Sequence, residues 1–290
     1  MSNDRRWSFP SRTWTLPPRG QVRYLLLDGA QCEQPRALLQ ALGWPNTALF
    51  DGLLASGQDD ATVFLVAVPV PTEVPAVLQR LRPALRSPGA VSVIDAALGL
   101  HDLAERLRQR LEARYPNGKA FTARFFDARV LPWWVAILDE AQREAFLSVG
   151  GRWTFLDARL EWTQLGLRCP TEDPHVAPWV LQAEQRRALI DALYPYTLMD
   201  HFLLTGPELL ERYPRETWYY RLRDAVAAAE AHGITDSARL SVIASWALIG
   251  DVDLAEDPAW QQHLRDVGAG RRTVNQVGEE VWPLVESWDE

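Results

Sequence analysis

Val22-Arg23-Tyr24-Leu25-Leu26-Leu27-Asp28-Gly29 is the stretch on which the fold turns. An apolar run closed by Asp-Gly reads as a buried strand that ends in a turn. Downstream, Leu38, Leu39 and Leu42 share one face of a helix over about 34–42, and Thr62–Val68 is a second buried strand stopped by Pro69 and Pro71. Val74, Val77, Leu78, Leu81 and Leu85 recur at helical spacing, and Val91–Ile94 is a short strand. Leu100, Leu103, Leu107 and Leu111 mark another amphipathic helix, with Arg106, Arg108 and Arg110 mostly off its apolar face. Phe121–Asp127 reads as a fourth strand, Trp133–Phe146 as a helix, and Trp153–Leu156 with Leu160–Leu167 as a closing hairpin. Strands alternating with helices predict an α/β lobe, a mixed sheet with flanking helices.

This lobe is expected over 21–168, behind a flexible lead-in of residues 1–20. The texture then changes. Cys169–Pro178 holds three prolines in ten residues, so 169–182 reads as a linker. Beyond it, helical segments are expected near 183–203, 206–212, 215–231, 236–249 and 258–267. They are punctuated by Gly206-Pro207, Tyr213-Pro214, His232-Gly233 and Asp257-Pro258. Residues 183–290 are thus predicted to form a smaller all-α lobe with a tryptophan-containing tail.

Composition narrows the function. The chain has 290 residues with 30 Lys+Arg against 38 Asp+Glu, a net charge of −8, and is 47% hydrophobic and 23% charged. These proportions exclude disorder as the main state. The acidic balance argues against a nucleic-acid partner, which needs clustered basic residues to neutralise phosphates. Cys32 and Cys169 make neither a disulfide framework nor a zinc site, and read as two buried free thiols. The N-terminus lacks an apolar segment of the signal-peptide type, and the longest apolar stretch, Val63–Pro71, is too short to span a membrane. A cytoplasmic protein without membrane insertion is expected.

No catalytic set emerges from the motifs. The five histidines are scattered without metal-ligand spacing, so no metal is expected. Asp28-Gly29-Ala30-Gln31 lacks the further glycines of a nucleotide cradle, and there is no Gly-x-Ser-x-Gly elbow, so no cofactor is expected either. Aromatic residues are plentiful, with 13 Trp against 9 Phe. Trp133-Trp134 and the tail tryptophans Trp282 and Trp288 are candidates for partner contact, although core filling is the commoner role of any one tryptophan. In Arg124-Phe125-Phe126-Asp127-Ala128-Arg129, two arginines bracket an aspartate and suggest an ion-paired corner, a partner-binding surface, or both.

These residues carry a resemblance. Tyr24–Gln31 resembles the opening strand of the type VI secretion effector-chaperone family, domain of unknown function 4123. Leu49-Phe50-Asp51-Gly52 is similar to its leucine-phenylalanine-x-glycine element. Arg124–Val130 is similar to its arginine-aromatic-aspartate-proline-arginine signature, with Ala128 at the proline position. Ala231–Ile234, Leu248–Gly250 and Asp257-Pro258 resemble its C-terminal pattern, so that the likeness runs over about 22–270.

The resemblance implies a non-catalytic adaptor. Such a protein binds a secreted toxin effector, by the effector's N-terminal segment, in the bacterial cytoplasm and loads it onto the valine-glycine-repeat spike protein, VgrG. The candidate partner-binding residues are Asp28, Arg124, Asp127, Arg129, Trp133 and Trp134. The alternative from another class is a small-molecule enzyme, hydrolase-like, using Asp28 or Asp127 at a strand end. A self-assembling scaffold is a third reading.

Overall fold

The computed structural model describes residues 7–50, 61–70 and 73–281. The chain divides into two compact units, Met1–Leu189 and Ile190–Glu290. It is mixed α/β: an N-terminal antiparallel sheet with flanking helices, then a mostly helical C-terminal region. Asp51, Gly52, Trp282 and Trp288, singled out in the sequence, lie outside the described residues.

In the first unit, strand β1 (Val22–Asp28) is central and all but its first residue are buried. A strand buried on both faces needs apolar side chains at odd and even positions alike, which is why Tyr24–Leu27 does not alternate. It pairs antiparallel with β3 (Val63–Ala67) on one side and β4 (Val91–Ala96) on the other. β2 (Asn46–Ala48), β7 (Arg152–Leu156) and β8 (Trp162–Gly166) complete a sheet of order β2-β3-β1-β4-β7-β8, antiparallel throughout. The parallel pairing is confined to a small second sheet. There β5 (Glu112–Arg114) pairs antiparallel with β6 (Ala120–Thr122) and parallel with β9 (Trp179–Val180).

Each face of the large sheet has its own core. Leu25, Leu27, Phe64, Val66, Val91 and Val93 face α1 (Pro35–Leu42) and α2 (Val74–Leu81). Tyr24, Leu26, Val63, Leu65, Ile94, Trp153 and Phe155 face α3 (Leu100–Gln109), α4 (Leu131–Ile137) and α5 (Glu140–Phe146).

Four expectations for this unit are corrected. The lead-in is not loose throughout, because Trp7 and Phe9 are buried in the α1–α2 core and the Trp7 carbonyl accepts from Arg82 Nε at 2.6 Å. Phe121–Asp127 is a strand only over 120–122. Residues 124–127 form a turn from which Phe125 and Phe126 both reach the core, so strand alternation does not apply to them. The helix expected over 133–146 is two helices, parted where Asp139 takes an extended conformation and caps α5 through a capping box with Gln142. Cys169 is exposed, and only Cys32 is buried.

The proline-rich stretch expected to be a linker is fastened to α3 by arginines that the pattern had placed off the apolar face. Arg110, fully buried, donates to Asp173 at 2.6 and 2.7 Å and to the Ala145 and Arg106 carbonyls. Arg106 donates to the Pro170 and Thr171 carbonyls. His175 holds the Gln109 carbonyl at 2.9 Å, which requires the proton on Nε2, and packs against Trp179, whose indole donates to the Arg110 carbonyl. A guanidinium can be buried here because its five donors meet carboxylate and carbonyl oxygens.

The second unit is built from α7 (Pro207–Glu211), α8 (Trp218–Glu230), α9 (Ser237–Gly250), α10 (Pro258–Gly268) and α11 (Val274–Val281), with α6 (Ala183–Thr205) carrying the boundary between units. α9 buries Leu240, Ile243, Ala244 and Trp246–Ile249 around its circumference, as the central helix of a bundle must. Gly233, at positive φ, ends α8, and Asp236 and Asp257 cap α9 and α10. A Cβ at Gly268 would run into the His232 carbonyl oxygen, so only glycine admits that approach. α11 is itself a helix beyond the last helical segment expected from the sequence, 258–267.

Burial pushes the Asp173 carboxyl up, but the Arg110 hydrogen bonds and the His175 amide outweigh it, and the net shift is below the ordinary 3.8. A carboxyl depressed in the fold lends stability above its unfolded value and loses it as pH falls through the folded value. Melting temperature measured from about pH 7 to about pH 3 should therefore fall on the acid side. Asp173→Asn should flatten that limb and cost about 3 kcal/mol or more at neutral pH, because Arg110 is left buried without its carboxylate.

Candidate functional site

Three loops meet at the end of β1. The first begins at Asp28, which caps a 3-10 turn over Gly29–Gln31 by accepting from the Ala30 amide at 3.0 Å. The second, Arg86–Ala90, is tied to the first by Arg86 N–H donating to the Gln31 carbonyl. Ser87 Oγ also donates to Gln31 Oε1 at 2.5 Å. The third, Arg124–Val130, leads into α4 and is tied to the second by Ala128 N–H donating to the Gly89 carbonyl at 2.9 Å.

Two carboxylates are sealed in this corner. Asp28 is fully buried, and its Oδ2 accepts from Gln31 Nε2 at 2.8 Å and Arg124 Nη2 at 3.4 Å. Asp127 is 2% exposed and accepts from the Arg129 amide at 3.0 Å, Nε at 3.2 Å and Nη2 at 2.9 Å. Arg124 Nη2 also lies 3.7 Å from Asp127 Oδ2, so one guanidinium serves both acids. That guanidinium stays half exposed and lies over the Phe126 ring, which meets Phe50 edge-on. Gly89 leaves room for this packing, since a Cβ there would meet Arg129 Cγ at 2.8 Å and Asp127 Oδ1 at 3.1 Å.

The electrostatics follow from burial. Desolvation pushes the Asp28 carboxyl above its ordinary value and Asp127 adds to that, while the Gln31, Arg124 and Ala30 contacts oppose it. Every carboxylate oxygen of the pair already accepts a hydrogen bond from the protein. What is left half exposed is the Arg124 guanidinium, over the buried Phe126 ring.

Asp28, Arg124, Asp127 and Arg129 are thus brought together. Trp134 is not on the surface: it is fully buried in the core beneath α4, where an apolar helix face has to pack on the sheet. Trp133, its neighbour on the helix, is half-buried. Gln31, Ser87 and Gly89 belong to the corner and escape sequence reading, because the contacts that join their loops, Ser87 to Gln31 and Ala128 to Gly89, link residues far apart in the chain. Among the described residues no cluster of His, Cys, Asp and Glu is arranged to hold a metal, and no helix is long and apolar enough to cross a membrane. A groove of about 400 Å³ beside α1 is lined by Glu33, Gln34, Ala37, Leu38, Pro83 and Ala84, and neither buried carboxylate opens into it.

The corner lies wholly inside one recognised segment. Residues 23–145 match the family model described as Domain of unknown function (DUF4123). No curated protein and no solved structure matches the chain. The matched segment takes in all of β1 but Val22, β3, β4, all three corner loops and α4, and ends within α5.

Replacing Gly89 by alanine should displace Arg129 from Asp127. The expected result is a loss of about 1–3 kcal/mol in urea unfolding, as for an overpacked site, whereas alanine at the open Gly166 should be near neutral.

Proposed function

We propose that this chain is a non-catalytic adaptor that holds a type VI secretion effector in the cytoplasm and delivers it to the VgrG spike protein. The observation that carries the reading is the state of the two corner carboxylates. Their oxygens are occupied by the chain's own donors, while Arg124 is left half exposed beside Phe126. A catalytic acid or base needs a lone pair or proton within reach of a substrate. A recognition surface needs an anchored group that a partner can reach, and arginine is among the residue types that dominate interface hot spots. The DUF4123 match over the same loops supports this reading, and so does the likeness of Arg124–Arg129 to the effector-chaperone signature.

On this reading Arg124 is the contact residue, and Asp28, Asp127 and Arg129 are positioning residues that set its direction. Trp133, half-buried on the first turn of α4, borders the surface. A hydrolase-like enzyme stays as the second reading, favoured by the raised Asp28 carboxyl, which would suit a general acid.

Co-expression of the tagged chain with candidate effector and VgrG proteins, followed by size-exclusion chromatography with light scattering, separates the two. Arg124→Ala should weaken the complex more than about tenfold at a temperature where circular dichroism shows the variant still folded. If Arg124→Ala forms the complex as the parent does, or no complex forms at all, the adaptor reading fails. Turnover of a small substrate abolished by Asp28→Asn would establish the second.

A further inference from the structure

We propose that the outer edge of β8 accepts an extended, acidic segment of a partner protein as an additional strand. The large sheet has two edges, a short one at β2 and a longer one at β8. At β2, the outward carbonyl of Ala48 is taken by Arg108 Nη2 at 3.1 Å and Thr47 Oγ1 is met by the same guanidinium. At β8 the ladder register turns a longer row of groups outward. Asp157 N–H donates to the Glu161 carbonyl and Leu167 N–H to Gly151, so the alternation of an antiparallel pair points Trp162, Gln164 and Gly166 away from β7. Arg12 Nη1 takes the Trp162 carbonyl at 3.3 Å. Among the described residues, the main chain of Gln164 and Gly166 has no partner on that side. Both residues are exposed, and a Cβ at Gly166 would meet nothing within 4 Å. Unprotected edge groups of this kind are a template for another strand.

Charge decides what that strand carries. On the face shared with α1 and α2, a row crosses the sheet through directly opposed residues: Arg23 on β1, Asp95 on β4, Arg152 on β7 and Gly166 on β8. Asp95 is buried and accepts from Arg23 Nε at 2.7 Å and from Arg152 Nε at 2.9 Å, so two guanidiniums share one carboxylate. Arg12 adds a third at the same end of the sheet, where it also meets Gln164 Oε1. Burial, and then the nearby charges of Arg152 and Arg23, hold Arg12 below its ordinary value, as expected where positive charge is in excess. The row alternates in sign and stops at a glycine. A carboxylate on the next strand, opposite Gly166, would continue the alternation with no side chain in the way.

The same charges disfavour a second copy of this chain. Antiparallel pairing of two β8 edges about Gln164 would set Gly166 and its Arg152 opposite the Trp162 end held by Arg12 of the other copy, guanidinium against guanidinium. The occupant is therefore a different polypeptide, and the site is separate from the Asp28–Arg129 corner, so either assignment can fail without the other.

The test uses the full chain and a synthetic peptide of about nine alternating threonine and valine residues with glutamate at its centre, against the same peptide with central lysine. Amide exchange at Gln164 and Gly166, read by NMR, should be fast in the free chain and slow with the glutamate peptide, which should bind about fivefold or more tightly than the lysine peptide. Gly166→Pro should abolish the protection. Gly166→Glu, which places a carboxylate beside Arg152 in open space, should remove the preference for glutamate while the fold persists. Equal binding of the two peptides, unchanged exchange at Gln164 and Gly166, or doubling of the chain's own mass in light scattering through this edge would overturn the proposal.

Discussion

The buried contact between Asp28 and the Arg124–Arg129 loop is the constraint on which the first unit depends. β1 is the strand that every other part of the large sheet is built around, and Asp28 is its last residue. A carboxylate at that depth is costly unless donors surround it. Here the donors come from two loops, Gln31 from the turn after β1 and Arg124 from the approach to α4, and the third loop joins them through Ser87, which holds Gln31. Satisfying one acid therefore fixes where β1 ends, where β4 begins and how α4 is launched. Asp127, capping the same loop through Arg129, adds the second anchor.

Much the same device recurs elsewhere in the unit. Asp95 gathers Arg23 and Arg152 across three strands, and Asp173 pins Arg110 inside the packing of α3. In each case a buried or half-buried carboxylate meets guanidinium, in a chain where all but one of the basic residues are arginine. Arginine suits this use, since its planar fork can serve two acceptors at once and keeps its charge when buried. Ion pairs of this kind add less net stability than the apolar faces around them, and their use is to specify which loops go together.

Legibility in the sequence followed the range of the interaction. Strands β1, β3 and β4 and helices α1–α3 were readable, because a continuous apolar run or a 3.6-residue period declares itself within a dozen residues. The ion-paired corner was readable in part: Arg124, Asp127 and Arg129 stand close enough to suggest their pairing, and Asp28 marks a strand end. Gln31, Ser87 and Gly89 were not, since nothing local says that they are neighbours. Buried arginines misled the reading of α3, because Arg106 and Arg110 look like surface residues until their carbonyl and carboxylate partners are known. Phe125-Phe126 misled it in the other direction: consecutive aromatics resemble a strand, yet here they enter the core from a turn. Trp7 and Phe9 were hidden by the polar, proline-bearing residues around them.

The second unit owes little to charge and most to α9, an apolar helix enclosed by its neighbours, and its boundaries were set by caps that the sequence shows plainly. The first unit is where structure and candidate function coincide, since the charged corner both closes the fold and presents Arg124. The most direct test is a urea-unfolding double-mutant cycle pairing Asp28→Asn with Arg124→Gln. If the corner is one cooperative unit spanning β1 and the α4 loop, the two changes should be non-additive by about 1 kcal/mol or more. Additivity within about 0.3–0.5 kcal/mol would show that the two residues act independently and that the corner is not one cooperative unit.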